Sequence, residues 1–407
     1  MNYPLEFHYI TFSITVTWLC LKLLGPNVAM CTVNSVFNMG FLLYAYRCYE
    51  TDDYDINWTT AQCVMCLRNI SLGFDYMDGE TLKQKGAEKL SPDQVVNSID
   101  TPPSYLEMLG FSLFFPCVLV GPQVTYRHFR SYLDTYIPGH GGRPTRREHL
   151  IPALYSFAEG IMYFVGSQVL SYPAEHFFSQ EYQHEWNLWE RYQFFFLHSI
   201  TFFWRYFGCW KLAESACQLT GAAYLGRNEN GKIHWGLHNF HSWRFFSGIN
   251  LDEIIKTFNI NTNYWVMRIV FKRLRWLGNK NASQLGALFF LAIWHGFHTS
   301  YFLAFGMEFY ELFAERGIRK WASGLIEYVD QSPAPIRFSG MLFAWVSRCT
   351  LLGNGVILFE MLDVMKGLEV HKSLYFLPTI LPTIYLIIPM VLPPPNAEEE
   401  NFSRNHR

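Results

Sequence analysis

Residues 7–24, 28–46, 105–121, 151–170, 285–305, 340–362 and 374–392 are nearly unbroken runs of apolar side chains. Each approaches the ~20 residues that an α-helix needs to cross a hydrocarbon core. Such runs cannot all be buried in one water-soluble core, and composition points the same way. Half of the 407 residues are hydrophobic, 18% are aromatic and only 16% are charged, more apolar side chain than a soluble domain carries. The expected fold is all-α: a polytopic membrane protein with about eight to ten transmembrane helices.

Pro116 lies inside the third run and Gly353-Asn354 inside the sixth. Helix breakers and amides are tolerated at membrane depth where they face protein or a water-filled cavity. A bundle around an internal chamber is therefore expected, and such a chamber suggests chemistry or transport. With 32 basic and 34 acidic residues, the charge balance gives no case for a nucleic-acid partner. The nine cysteines are scattered and read as small hydrophobic residues, including Cys63 and Cys66. The first run lacks a basic leader and a small-residue cleavage site, so it is expected to stay in the protein.

Polar loops separate the runs: an acidic one at 51–55, a longer one at 78–103, and the basic Gly/Pro segment 138–147, cytoplasmic by the positive-inside rule. Arg268, Lys272, Arg273 and Arg275 between Trp265 and Trp276 read as an amphipathic helix in the cytoplasmic interface. Residues 211–284 are expected to be a largely re-entrant or interfacial stretch. The simplest partition is a single membrane domain, 1–392, and a polar, disordered tail, 393–407.

Two clusters could carry chemistry. Leu291-Ala-Ile-Trp-His-Gly-Phe-His-Thr-Ser300 puts His295 and His298 one helical turn apart within an apolar run. Ionisable groups at that depth are costly and are functional candidates. The alternative is a buried histidine satisfied by a neighbouring helix. Trp294 and Gly296 favour the functional reading, because a glycine beside the imidazole lets a substrate approach closely. The second cluster, Thr257-Phe-Asn-Ile-Asn-Thr-Asn-Tyr-Trp265, alternates three asparagines, Asn259, Asn261 and Asn263. A carboxamide can hold a carbonyl or oxyanion beside a histidine base. The alternative there is a polar helix-start turn with one asparagine as N-cap. A rival set, His234, His238 and His241 with His295 and His298, has spacings that could suit a metal, but none of the 14 histidines are adjacent. No histidine has an aspartate five residues on, the pattern of the soluble-side glycerolipid acyltransferases.

Trp294-His-Gly-Phe-His298, preceded by Phe258-Asn259, resembles the membrane-bound O-acyltransferase family. The stretches Asp75-Tyr-Met-Asp-Gly79, Leu119-Val-Gly-Pro-Gln123, Phe271-Lys-Arg-Leu274 and Phe305-Gly-Met-Glu-Phe309 are similar to its lysophospholipid acyltransferase branch. The resemblance implies tilted transmembrane helices around a chamber that takes acyl-CoA from the cytosol and a lipid acceptor from the bilayer. It implies His295 as base and Asn259 as second catalytic residue, with Trp294, Gly296, His298, Asn263, Trp265, Lys272 and Arg273 on the substrates. It further implies phospholipid remodelling as a multi-pass protein of the endoplasmic reticulum membrane. Acceptors would be lysophosphatidylcholine, lysophosphatidylethanolamine or lysophosphatidylserine, and the acyl chain polyunsaturated. No cofactor or metal is expected, acyl-CoA being a co-substrate. Other acceptors within the family (sterol, diacylglycerol or protein) and a non-enzymatic lipid carrier or transporter are the alternatives.

Overall fold

The computed structural model describes residues 6–49, 58–136 and 143–394. The acidic loop 51–55, the first half of the basic Gly/Pro segment (138–142) and all but the first two residues of the tail fall outside them. The helices run α1 (Phe7–Leu24), α2 (Val28–Tyr49), α3 (Trp58–Lys85), α4 (Pro92–Asn97), α5 (Tyr105–Ser112), α6 (Tyr126–Tyr136), α7 (Arg146–Val169), α8 (Leu188–Thr201) and α9 (Trp204–Leu219). An antiparallel hairpin follows, β1 (Tyr224–Arg227) with β2 (Ile233–Trp235), Tyr224 opposite Trp235. Then come α10 (Ser242–Ser247), α11 (Leu251–Thr257), α12 (Ile260–Val266), α13 (Lys280–His295) and α14 (Thr299–Trp321). The chain closes with α15 (Ser323–Gln331), α16 (Ala334–Met361), α17 (Val364–Ser373) and α18 (Leu377–Val391).

The all-α expectation holds; among the described residues the short hairpin is an addition to it. Among the described residues, α1, α2, α7 and α16 are long and apolar enough to cross a membrane, and α17 with α18, bent by 85°, makes a fifth candidate. That is fewer than the number expected, because α13 has 16 residues and α14 carries Glu308, Glu311, Glu315, Arg316, Arg319 and Lys320.

The chain forms two compact units. The first comprises Met1–Phe164, Tyr206–Phe240 and Asn259–Ala287, the second Val165–Arg205, His241–Phe258 and Leu288–Arg407. In the first, Gly25 at φ 70° ends α1 and the Asn27 side chain accepts from Met30 N–H at 2.9 Å to start α2. Lipid supplies no hydrophobic force between apolar helices, so interhelical polar contacts hold them. Asn38 donates to Thr17 at 3.0 Å, Asn69 donates to Asn38 at 3.0 Å, and Asn34 donates to the Asn69 carbonyl at 2.8 Å. Gln62 donates to Ser13 at 3.0 Å, and all six side chains are buried.

The run 105–121, expected as one span, is instead short helix, break and turn: α5 starts on a Ser104–Glu107 capping box and stops at Ser112. Pro116 lacks an N–H to continue the helix. The carbonyls freed around it go to the fully buried Arg68 guanidinium, which donates to Ser112 O at 3.1 Å, Cys117 O at 2.6 Å and Pro122 O at 3.3 Å.

Gly79 of α3 marks a close approach. A Cβ there would stand 1.9 Å from the Ile99 carbonyl oxygen, while Ile99 N–H donates to Asp75 O at 3.0 Å. Gly79→Ala forces the 98–100 strand of chain off α3. It should destabilise the detergent-solubilised protein by ~1–3 kcal/mol, seen as a lower unfolding midpoint; an unchanged midpoint would refute the packing described.

In the second unit α8, α14, α16 and α18 pack together. α16 runs unbroken through Gly353-Asn354. A Cβ on Gly353 would come within 2.6 Å of the Phe195 ring, so α8 packs closely there. Asn354 faces protein, donating to Glu311 at 2.7 Å and to Pro378 O at 3.0 Å. Buried Arg348 donates to Gly248 O at 3.1 Å and to Phe245 O and Phe246 O at 3.3 Å, satisfying the end of α10.

Candidate active site

The predicted site residues divide between the units: Trp294, His295, Gly296 and His298 in the second, Asn259, Asn263, Trp265, Lys272 and Arg273 in the first. The run 285–305 was expected as one span with both histidines on it. It is two helices. α13 ends at His295, Gly296 stands at φ 129°, and His298 is the extended residue ahead of α14. A φ of that sign and size suits glycine and strains any other residue. His295 and His298 therefore do not stack on one helix.

Ending the helix at His295 places its imidazole at a helix C-terminus. Its ring sits in an aromatic cage, with centroids 4.8 Å from Trp294, 5.0 Å from Phe359, and 5.5 Å from both Tyr301 and Phe305. Among the described residues, no hydrogen bond is made to either of its ring nitrogens within the unit, and the residue is partly exposed. Both nitrogens are left for something that enters. Phe359 is steadied by its neighbour Glu360, which accepts from His198 Nε2 at 2.6 Å and lies 3.7 Å from Arg205. His298 packs edge-on to Tyr301 with centroids 5.7 Å apart.

In the first unit, Asn259 occupies the N-cap position of α12 in a left-handed conformation, φ 46° and ψ 43°, and its side chain caps nothing. Its carbonyl accepts from Asn263 N–H at 2.9 Å. The simple N-cap reading therefore fails for Asn259. An asparagine held in αL costs ~1 kcal/mol, and such strain gathers at functional positions. Trp265 is a core strut, buried and donating to Leu67 O at 2.9 Å. Tyr264 accepts from Asn97 Nδ2 at 3.4 Å. Burial, with Asp93 adding to it, raises its phenol above the usual range, so it stays a neutral hydroxyl.

The amphipathic interfacial helix expected between Trp265 and Trp276 is not present. α12 passes into a π-helical turn, Met267–Phe271, and a 3-10 helix, Lys272–Leu277. The cations turn inward to carboxylates: Arg268 to Asp75, Lys272 to Asp93, and Arg273 to Asp78 at 2.6 Å. Arg273 also lies over the Phe74 ring, 4.3 Å from its centroid. The motif Asp75-Tyr-Met-Asp-Gly79 thus supplies the counter-charges of Arg268 and Arg273, a role that local sequence did not disclose. Lys272 and Arg273 each keep about a fifth of the side chain exposed.

Among the described residues no three His, Cys, Asp or Glu side chains gather as a metal site. His238, from the rival set, lies with Nδ1 2.9 Å from Glu214 and Nε2 3.0 Å from Trp235 O.

Comparison with known proteins places this architecture. Residues 43–351 match the membrane-bound O-acyltransferase family, MBOAT. The mouse protein lysophospholipid acyltransferase 5 is 33% identical over 390 residues, covering 92% of this chain and 77% of its own length. The human protein of that name is 32% identical over 403 residues, with 96% and 79% covered. A yeast lysophospholipid acyltransferase is 24% identical over 369 residues, with 84% and 60% covered. With three quarters of its length matching the family, and several helices long and apolar enough to cross a membrane, this chain belongs to the membrane-bound O-acyltransferases.

Proposed function

We propose that the protein transfers a fatty acyl group from acyl-CoA to the free hydroxyl of a lysophospholipid, remodelling membrane phospholipids in the endoplasmic reticulum. The observation that carries this reading is similarity along nearly the whole chain to proteins named lysophospholipid acyltransferase 5. The open ring nitrogens of His295 support the chemistry.

His295 takes the proton of the acceptor hydroxyl as its oxygen attacks the thioester carbon. The Asn259 carboxamide donates to the oxygen that becomes negative. The tetrahedral intermediate collapses with cleavage of the carbon–sulfur bond, and the CoA thiolate takes up the proton that His295 carries. No acyl-enzyme is required, since a thioester is already activated and positioning of two amphiphiles in a dry site supplies most of the rate. The aromatic cage around His295 excludes water and so disfavours hydrolysis of the thioester. Trp294, Gly296 and His298 border that cage, and Asn263 and Trp265 support the Asn259 turn. Lys272 and Arg273 serve the CoA phosphates, each already beside a carboxylate that holds it in place. The acceptor is a choline, ethanolamine or serine lysophospholipid, and the preferred acyl chain is polyunsaturated.

The test uses membranes from cells expressing the full chain, given labelled arachidonoyl-CoA with a mixture of lysophospholipids, sterol and diacylglycerol. Labelled diacyl phospholipid is the expected product, and its head groups name the acceptor. Label in sterol ester or triacylglycerol, with none in phospholipid, would replace the acceptor; label in no lipid would sink the reading.

A further inference from the structure

We infer that Asn239 is a positioning residue that fixes which way the Asn259 carboxamide points, a step that rests on the catalytic role proposed for Asn259. Asn239 follows the hairpin, two residues after Leu237, which is itself left-handed at φ 59°. It is buried, 2% exposed, and brackets the asparagine turn from both its backbone and its side chain. Its carbonyl accepts from Ile260 N–H at 3.1 Å. Its side-chain oxygen accepts from Asn261 N–H at 3.0 Å and from the Asn261 amide at 3.3 Å. Asn261 also donates to His238 O at 2.9 Å, tying the same two turns together.

These contacts remove the usual ambiguity of an amide's orientation. A backbone N–H can only donate, so the Asn239 atom facing Asn261 N must be the oxygen. The Asn239 nitrogen then faces Asn259, at 3.4 Å from its Oδ1. Because that nitrogen can only donate, Asn259 must meet it with its oxygen. Its own NH2 is then the end of the carboxamide turned away from Asn239, and among the described residues of the unit nothing accepts from it. The arrangement leaves the Asn259 NH2 as the donor end of the carboxamide, the kind of group a developing oxyanion needs. A flipped Asn259 would present a lone pair instead and repel the same charge.

The test compares Asn239→Asp with Asn239→Ala in the full-length protein in membranes, with initial rates normalised to protein level. Asp keeps the acceptor for Asn261 N–H but turns a carboxylate oxygen toward Asn259, favouring the flipped carboxamide. Ala loses the brace but leaves Asn259 free in either orientation. We expect kcat to fall by ~100-fold for Asn239→Asp, the scale of losing an oxyanion donor, with KM for acyl-CoA and acceptor within about twofold. Asn239→Ala should be the less impaired of the two. In an Asn259→Ala background, Asn239→Asp should cost nothing further.

A purely structural brace predicts the opposite order, Ala worse than Asp, and additive losses with Asn259→Ala; either result would overturn the inference. If Asn259→Ala alone retains full activity, the catalytic role of Asn259 fails and the inference fails with it. If Asn259→Ala is inactive while Asn239→Asp is unimpaired, only the inference fails.

Discussion

Membranes carrying His295→Ala will acylate lysophospholipid at a rate ~1000-fold below those carrying the unaltered chain, with equal amounts of protein. General-base catalysis by a positioned histidine contributes 10²–10⁴-fold, and the middle of that range is expected for two reasons. The imidazole ends α13, beside the Gly296 break that lets a substrate approach closely. Neither nitrogen is spent on a described neighbour within its unit, so both are available to a hydroxyl. The loss should appear in kcat rather than KM, because the proton transfer is made only in the transition state. A variant with kcat within tenfold of the unaltered chain would show that His295 is a packed aromatic-cage residue and not the base. His295→Gln separates the two cases further: it fills much of the same space and keeps a polar end, so a residue needed only for packing would tolerate it.

Where the fold was legible in the sequence, the cause was local. Gly25-Pro26 between the first two apolar runs fixes the end of α1 and the start of α2, and both helices begin where the runs do. The Ser104–Glu107 capping box likewise marks the start of α5. The hairpin was missed although Asn228-Glu-Asn-Gly231 between β1 and β2 carries a turn composition; it lay inside a stretch read as re-entrant or interfacial. The break at Gly296 was visible as a residue but not as a conformation, since glycine inside an apolar run is also common in unbroken spans.

The misreading of the basic cluster has a different origin. Arg268, Lys272 and Arg273 look like a cationic face until their partners are known, and those partners are 193, 179 and 195 positions away. Pairing at such separation leaves no trace in local periodicity. Asn239 escaped notice for the same reason. It sits in a histidine-rich string whose spacing suggested metal ligands, while its own contacts are to a turn 20 to 22 residues on. His295 and Asn259 were legible as residues because an imidazole and three alternating amides are conspicuous among apolar side chains. The conformations that free their polar atoms, a helix ending and a left-handed turn, are set by backbone geometry.

The buried pair Arg268–Asp75 carries the largest structural effect. Both side chains are 1% exposed, and the contact is two-pronged, with the second arm, Arg268 Nη2 to Asp75 Oδ2, at 3.4 Å. Among the described residues Arg268 Nε has no partner, so the carboxylate is its main compensation. Asp75→Ala leaves a guanidinium inside the first unit with nothing to offset its lost hydration, at a cost of ~3–5 kcal/mol. For a unit of this size that should lower the unfolding midpoint of detergent-purified protein by on the order of 10 °C. Replacing both partners, Asp75→Ala with Arg268→Met, removes the uncompensated charge and fills the space with a flexible apolar side chain. The double variant should recover more than half of the loss, because the desolvation of two charges disappears together with their attraction. If it is as unstable as Asp75→Ala alone, the damage comes from the cavity and not from the stranded charge. If Asp75→Ala itself shifts the midpoint by less than a few degrees, water reaches Arg268 and the pair is not buried.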